Sequence, residues 1–421
     1  VTVKKTSMQV LAVLQQHVDD STVLAANRMT SVKGRVARLG QFVAVDRRLR
    51  AHFSGLCRSG KTGWALCDEA LESPSGGLIF TMTVLALEAQ DGDRLESMLA
   101  IARAIPDTSS GLLAAFEWAE WHYVAPFARD MLASDDDYAR WIAIEAFDAH
   151  RVDPGPSLSR LTSDSSAPVR TTALRAAGHL GRKDLLANCL AALDDEDVAV
   201  CGQAARSAVM LGDRLGAVDA LELLAFDPKI QDCHNLPLLL QVSHTVSGNE
   251  VLRRLQASQQ SPRQWIEGSA YVGDCAAVQP LVTCMRDPLL ARIAGDSFAQ
   301  ITGAEIDNSE LVGAAPIGES FGPSDDPDDA YVAMDPDEGL PWPNQSAVQA
   351  WWTAAAHQFT PGIRHFMGSA PSWHGLVSTL SFGRQHQRSA AARQLCLMAP
   401  GRPLFSTAAP VWRQIRAIEQ L

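Results

Sequence analysis

Apolar residues recur along most of this chain at i, i+3, i+4 and i+7, the mark of helices with one buried face. The pattern also repeats on a longer scale. The stretch Ala173–Gly181 (ALRAAGHLG) returns as Ala204–Gly212 (AARSAVMLG), an offset of 31 residues. Each copy follows an acidic or Ser/Asp-rich loop, Asp164–Pro168 and Asp194–Asp197, and precedes a second apolar segment, Asp184–Leu193 and Leu215–Ala225. Weaker copies stand upstream at Thr83–Asp91, Leu112–Glu120 and Ala143–Arg151, and downstream at Leu238–Val246, Ile266–Gly273 and Arg292–Ile301. Their starts step by about 30 residues, the scale of stacked helical repeats.

A single helical hairpin cannot bury its own apolar face, so such units must stack. Gly181 and Gly212 fall where a helix ends in a left-handed cap. The aspartates of the loops supply N-caps and favourable charge at the next helix start. No alternating stretch is long enough to build a sheet. The pattern predicts an all-α fold, with residues 76–303 an α-solenoid of about seven or eight helical hairpins.

The flanks differ. Residues 1–75 read as a helical cap of three or so helices, with Lys33–Leu39 and Asp46–Leu56 amphipathic. Residues 304–340, with Pro323–Asp329 and Asp335–Glu338, have too little apolar content to pack alone and read as a long acidic loop or disordered insertion. Residues 341–421 read as helical again, clearest over Gln345–Phe359, and are punctuated by Pro361, Pro371, Pro400 and Pro410.

The repeats resemble HEAT repeats of the short bacterial kind. The segments Val13–Asp20, Leu39–Leu56 and Gly63–Leu71 extend the likeness, as do Leu340–Pro343, Trp351, Trp352 and His357–Gly362. Together they resemble a family of bacterial HEAT-repeat proteins found in gene neighbourhoods of type VI secretion. The resemblance spans nearly the whole chain. It implies a protein-binding scaffold and attaches no catalytic residue to any position.

Composition narrows the class. The chain has 421 residues, 47% hydrophobic and 20% charged, which is ordinary for a folded protein. No apolar run reaches 18 residues, so no transmembrane helix is expected. Val1 opens the chain without a Met, as a processed end would, and the residues after it lack a signal peptide's apolar core. Eight scattered cysteines form no C-x-x-C, which fits reduced thiols in a cytoplasmic protein.

The net charge of −12 is segregated. Residues 1–61 carry eleven Lys/Arg against three acids, and residues 341–421 seven against one. Residues 62–303 carry eighteen against thirty-three, and residues 304–340 eleven acids and no base. An acidic array opposes gripping a phosphate backbone, so nucleic acid is not the expected partner. The basic ends are expected to face the chain's own acidic segments or an acidic partner. The acidic tract is read as a solvated linker or as a docking strip for a basic partner through Asp325, Asp326, Asp328 and Asp329.

Candidate chemistry is sparse. Gly55-Leu-Cys-Arg-Ser-Gly60-Lys61-Thr62 fits the P-loop pattern letter for letter. A true P-loop follows a buried strand. Here the preceding segment is charged and helix-like, so the match is read as chance: a helix ending at Gly60 and another starting near Thr62. The eleven histidines form neither H-E nor H-x-x-x-H, a departure from the paired His-Glu motifs of HEAT-repeat di-iron hydroxylases. His150 and His179 share a repeat position, which implies packing or surface roles. No G-x-S-x-G occurs, and Glu117 and Glu120 are read as a solvated pair on one helix face. No cofactor and no metal are expected.

The aromatic group Trp118, Trp121, Tyr123 and Trp141 has two readings: packing between hairpins, or anchors on a protein-binding face. Trp118 and Trp121, three apart, are expected on one face of one helix. The sequence thus predicts a non-enzymatic protein-binding scaffold, an adaptor or accessory factor for a type VI secretion effector, with a basic or secreted protein as partner. The alternatives are a HEAT-like nucleic-acid-binding or DNA-repair protein, which needs a basic concave groove, and a small-molecule or tetrapyrrole-binding HEAT-like enzyme, which needs a deep aromatic pocket.

Overall fold

A computed structural model describes residues 2–227, 235–257, 262–307, 310–316, 321–322 and 333–421, with side chains from Val10 onward. Among these residues the fold is all-α, without strands and with only isolated β-bridges. An N-terminal group holds α1 (Thr2–Lys33), α2 (Leu39–Ser59) and α3 (Lys61–Ala70). Hairpins come next: α4 and α5 (Gly76–Ala89, Gly92–Ala104), α6 and α7 (Ser109–Trp118, Trp121–Leu132), and α8 and α9 (Asp137–His150, Pro156–Leu161). After them come α10 and α11 (Ala167–His179, Leu186–Ala191) and α12 and α13 (Val198–Leu211, Gly216–Phe226). The array continues with α14 and α15 (Asn235–Val242, Thr245–Ala257), α16 and α17 (Pro262–Val272, Val278–Cys284) and α18 (Ala291–Thr302). The last helices are α19 (Gln345–Ala355), α20 (Trp373–Phe382), α21 (Gln385–Met398) and α22 (Val411–Ile418).

The chain divides into two compact units, Val1–Ala220 with Leu380–Leu421, and Leu221–Thr379. In the first, the leading helices form one continuous layer, α4 on α6, α6 on α8, α8 on α10 and α10 on α12, with α1 packed against α4. Helix α4 is buried on every side from Gly77 to Leu87, because it lies between α1 and α6. Each leucine it buries contributes about 1.5–3 kcal/mol. In the second unit, α14, α16 and α18 stack in the same order.

Lys33–Leu39 is a correction to the sequence reading. It is the connection between α1 and α2, not a helix: α1 stops at Lys33 and Arg38 is extended at φ −107° and ψ 157°. Helix α2 has the expected amphipathic face, with Leu49, Phe53 and Leu56 buried.

At the N-terminal ends of the leading helices a charge ladder repeats with the array. Arg140 on α8 forks onto both oxygens of Asp164, each at 3.0 Å, and Arg170 on α10 forks onto Asp195, each at 2.9 Å. Each aspartate also accepts a backbone N–H two residues on, from Ser166 and Asp197. Asp197 then caps α12 directly through the N–H of Ala199. The bidentate geometry gives these half-buried pairs more weight than exposed ion pairs have.

At the opposite ends a left-handed residue recurs: Arg151, Gly181 and Gly212 in the first unit, Gly273 and Gly303 in the second. After α10 the cap has Schellman geometry, with the N–H of Arg182 donated to the carbonyl of Ala177. The C-terminal region, expected to be helical, lays extended straps across these caps. In the first unit Pro400 contacts Gly212, Gly401 contacts Gly181, and the Leu404 N–H is donated to the His179 carbonyl at 2.7 Å. Arg151 donates Nε–H to the Leu404 carbonyl at 2.8 Å. Farther on, Arg413 of α22 donates to the Glu117 carbonyl at 2.7 Å, and the Val411 N–H is donated to buried Asp46 at 2.8 Å.

The second unit repeats the device with residues 359–369. His365 N–H is donated to the Gly273 carbonyl at 2.7 Å, and Met367 N–H to the Gln300 carbonyl at 2.7 Å. Arg364 donates to the carbonyls of Val272, Leu240, Gln241 and Ser243. All four expected proline breaks fall in or beside straps, Pro361 and Pro400 in turns, where the missing N–H and fixed φ are tolerated.

A Cβ at Gly181 would meet the Gly401 carbonyl oxygen, and φ there is +68°. Gly181→Ala is therefore expected to cost about 1–3 kcal/mol in denaturant unfolding and to expose residues 399–410 to proteolysis. A neutral Gly181→Ala with an uncut strap would contradict this account.

Candidate functional site

The P-loop pattern is not a nucleotide loop. Gly55 to Ser59 are the last residues of α2, Gly60 at φ +55° is the break, and α3 begins at Lys61, one residue before the expected start. With its first Gly and the intervening residues in helix, the segment cannot wrap a phosphate with its amides.

The aromatic group is split. Trp118 ends α6 and Trp121 begins α7, because Ala119 turns extended at φ −60° and ψ 154° between them. The two tryptophans therefore do not share a helix face, and neither do Glu117 and Glu120. Trp118 is only 2% exposed and meets Phe53 and Trp412 edge-on, each with ring centroids 5.1 Å apart. It is a core residue, and burial removes it from the binding set. Trp121 is half-buried against Phe147 and His150, and Trp141 is half-buried beside Tyr138. Asp325, Asp326, Asp328 and Asp329 lie outside the described residues. Nearby, Asp335 is taken by Arg292 at 2.7 and 2.8 Å, and Asp337 by Arg263, so this part of the tract is folded onto its own unit.

His150 and His179 pack at equivalent cap positions, as their register implies. His179 Nδ1 lies 2.9 Å from Asp148. Burial lowers the His179 pKa, so the neutral ring donates to the carboxylate. Burial alone would raise Asp148, but His179, Arg151 and Arg175 around it outweigh burial and keep it ionised. Burial also lowers His150, to about 3, and its Nε2 bonds the Phe116 carbonyl at 2.7 Å. Among the described residues no group of three or more His, Cys, Asp or Glu is placed to hold a metal.

Tyr123 of the aromatic group lines a cleft. The cleft has a volume of about 260 Å³ and lies between α2, α3, α4 and α7. Leu56, Cys57, Trp64, Leu85, Glu88 and Tyr123 line it. Glu88 is the single ionisable group of α4, whose sequence GGLIFTMTVLALEA is otherwise apolar or small. It accepts no hydrogen bond from a described residue. Burial raises its pKa, partly offset by Arg50. The Arg50 guanidinium turns elsewhere, to Glu120 at 3.3 Å and over the Trp412 ring at 3.9 Å. Burial and the Glu88 charge raise the Cys57 pKa, which keeps this thiol protonated and a poor nucleophile. Arg94 stacks on Trp64 at 3.9 Å from the ring centroid. The cleft thus offers apolar walls, two aromatic rings and one carboxylate.

A half-buried carboxylate without hydrogen bonds weakens the fold once ionised. Because its folded pKa is raised, the penalty grows as pH rises through the ordinary carboxylate range and is constant above the folded value. Glu88→Gln is therefore expected to raise Tm by roughly 1–3 °C at pH 8, with the gain vanishing near pH 3. A variant less stable at pH 8 would contradict this reading.

Among the described residues no helix is long and apolar enough to cross a membrane. A comparison with the curated proteins finds no match. Residues 156–230, spanning α9 to α13, match the family model for HEAT repeats.

Proposed function

We propose that this protein is a non-enzymatic binding scaffold for a basic protein partner. HEAT repeats are in general protein-interaction scaffolds. One observation carries the choice of partner. Most arginines of the array are consumed internally, in the Arg–Asp ladder, the cap contacts and pairs such as Arg103–Asp136. The surplus carboxylates face solvent. Glu69 and Glu72 at the end of α3, Asp93 and Glu96 on α5, Asp107 before α6 and Asp130 on α7 are all exposed. Such a surface steers a basic partner and repels nucleic acid.

Part of the basic charge of the C-terminal end is held inside its own unit. Burial lowers Arg388 and Arg413 to about 10, and both are spent on backbone carbonyls and side chains of their own unit. The cleft is smaller than the roughly 300–1,000 Å³ typical of drug-sized ligands, which favours a side chain over a tetrapyrrole. The narrower role, a cytoplasmic adaptor or accessory factor for a secreted effector of the type VI kind, rests on the family resemblance and fits an acidic surface.

A pull-down from native lysate, eluted stepwise with salt and read by mass spectrometry, tests this. The control bait carries Glu69→Lys, Glu72→Lys, Asp93→Lys and Glu96→Lys. One stoichiometric protein is expected to elute as salt rises and to be lost from the reversed bait. Nucleic acid as the main captured species, or a partner held equally by both baits, would contradict the proposal.

A further inference from the structure

We infer that the cleft between α2, α3, α4 and α7 is a receptor for an alkylammonium group, namely a lysine side chain of the partner protein. This deepens the scaffold reading and rests on it. The shape is that of an amphipathic chain. Leu56, Leu85 and the ring of Trp64 supply walls for a run of methylenes, and Glu88 supplies a counter-charge with its lone pairs free of protein donors. Long cationic side chains bury their stems and present their heads in this way. Tyr123 adds a second aromatic ring and a phenolic oxygen that accepts from an ammonium.

The lining excludes the other classes. An anion would meet the Glu88 charge. A divalent metal would find one carboxylate and a thiol whose pKa is raised. A neutral ligand would cover the carboxylate without pairing its charge, the costly outcome for a half-buried ionised group. Arg50, the cation whose charge acts on Glu88, is held on Glu120 and on the Trp412 ring, so it does not fill the place. Trp64 already carries one cation, Arg94, on its ring, as expected of an indole in an electronegative setting.

Ligand-observed NMR titration of the full chain tests the site, with n-butylammonium as probe and n-butanol and butyrate as controls at constant ionic strength. Saturable binding of n-butylammonium in the millimolar range is expected, with neither control binding at the same place. Glu88→Gln is expected to weaken it at least tenfold while the protein keeps its Tm or gains. The affinity of the unaltered chain is expected to fall as pH drops and Glu88 takes up its proton. A capped peptide with one central lysine is expected to displace the probe, and its acetyl-lysine counterpart to leave it bound. Equal affinity of Glu88→Gln, equal binding of n-butanol, or failure of the lysine peptide to compete would each overturn the inference. These outcomes are independent of the pull-down: a salt-sensitive partner kept by a Glu88→Gln bait would leave the scaffold standing and remove the lysine from this cleft.

Discussion

Each leading helix of a stacked array ends in carbonyl groups that its own turns leave without donors. Here two lengths of C-terminal chain supply donors to those ends, Leu404 to His179 in one unit, and His365 and Met367 to Gly273 and Gln300 in the other. The close approach requires a residue at each cap that takes the left-handed conformation without projecting into the strap. Glycine meets both conditions at 181, 212, 273 and 303. At 151 an arginine takes the same backbone conformation, and its side chain bonds the strap itself at Leu404.

The opposite ends of the first unit's leading helices are held by charge. The ladder Arg140–Asp164 and Arg170–Asp195 uses each aspartate twice, once for a backbone N–H and once for a guanidinium. These two devices take Arg140, Arg151, Arg170, Arg364 and Arg413 out of the charge that a count would assign to the surface. What remains for solvent is the acidic excess of α3, α5 and α7, and within it Glu88, whose helix is otherwise apolar. Packing therefore shifts the surface of α5 and α7 toward negative charge, while Arg47, Arg48 and Arg58 of α2 stay exposed.

The repeat architecture was legible because its signal is periodic. Gly181 and Gly212, 31 residues apart, marked the caps, and the Asp-rich loops marked the helix starts. The failed P-loop was legible from the charged helix before it. The break at Ala119 was not, because Ala is a good helix former and only tertiary packing turns it, so Trp118 and Trp121 were assigned to one helix. The straps were half legible: the prolines gave their places, but long-range donors such as Leu404 carry no local pattern. The cleft was missed except for Tyr123. Its one sequence signal is a lone Glu in an apolar helix, and Trp64 and Cys57 join it only through the fold.

Native-state hydrogen exchange of the strap amides tests the dependence of the arrays on their straps most directly. The amides of Leu404, His365, Met367 and Gly368 are predicted to exchange as slowly as buried helix amides of their own units, such as Leu174 and Ile301, since each is released only when its unit opens. Exchange of these four amides at the rate of an exposed loop, with the helices still protected, would show that the arrays stand without their straps and would contradict the account.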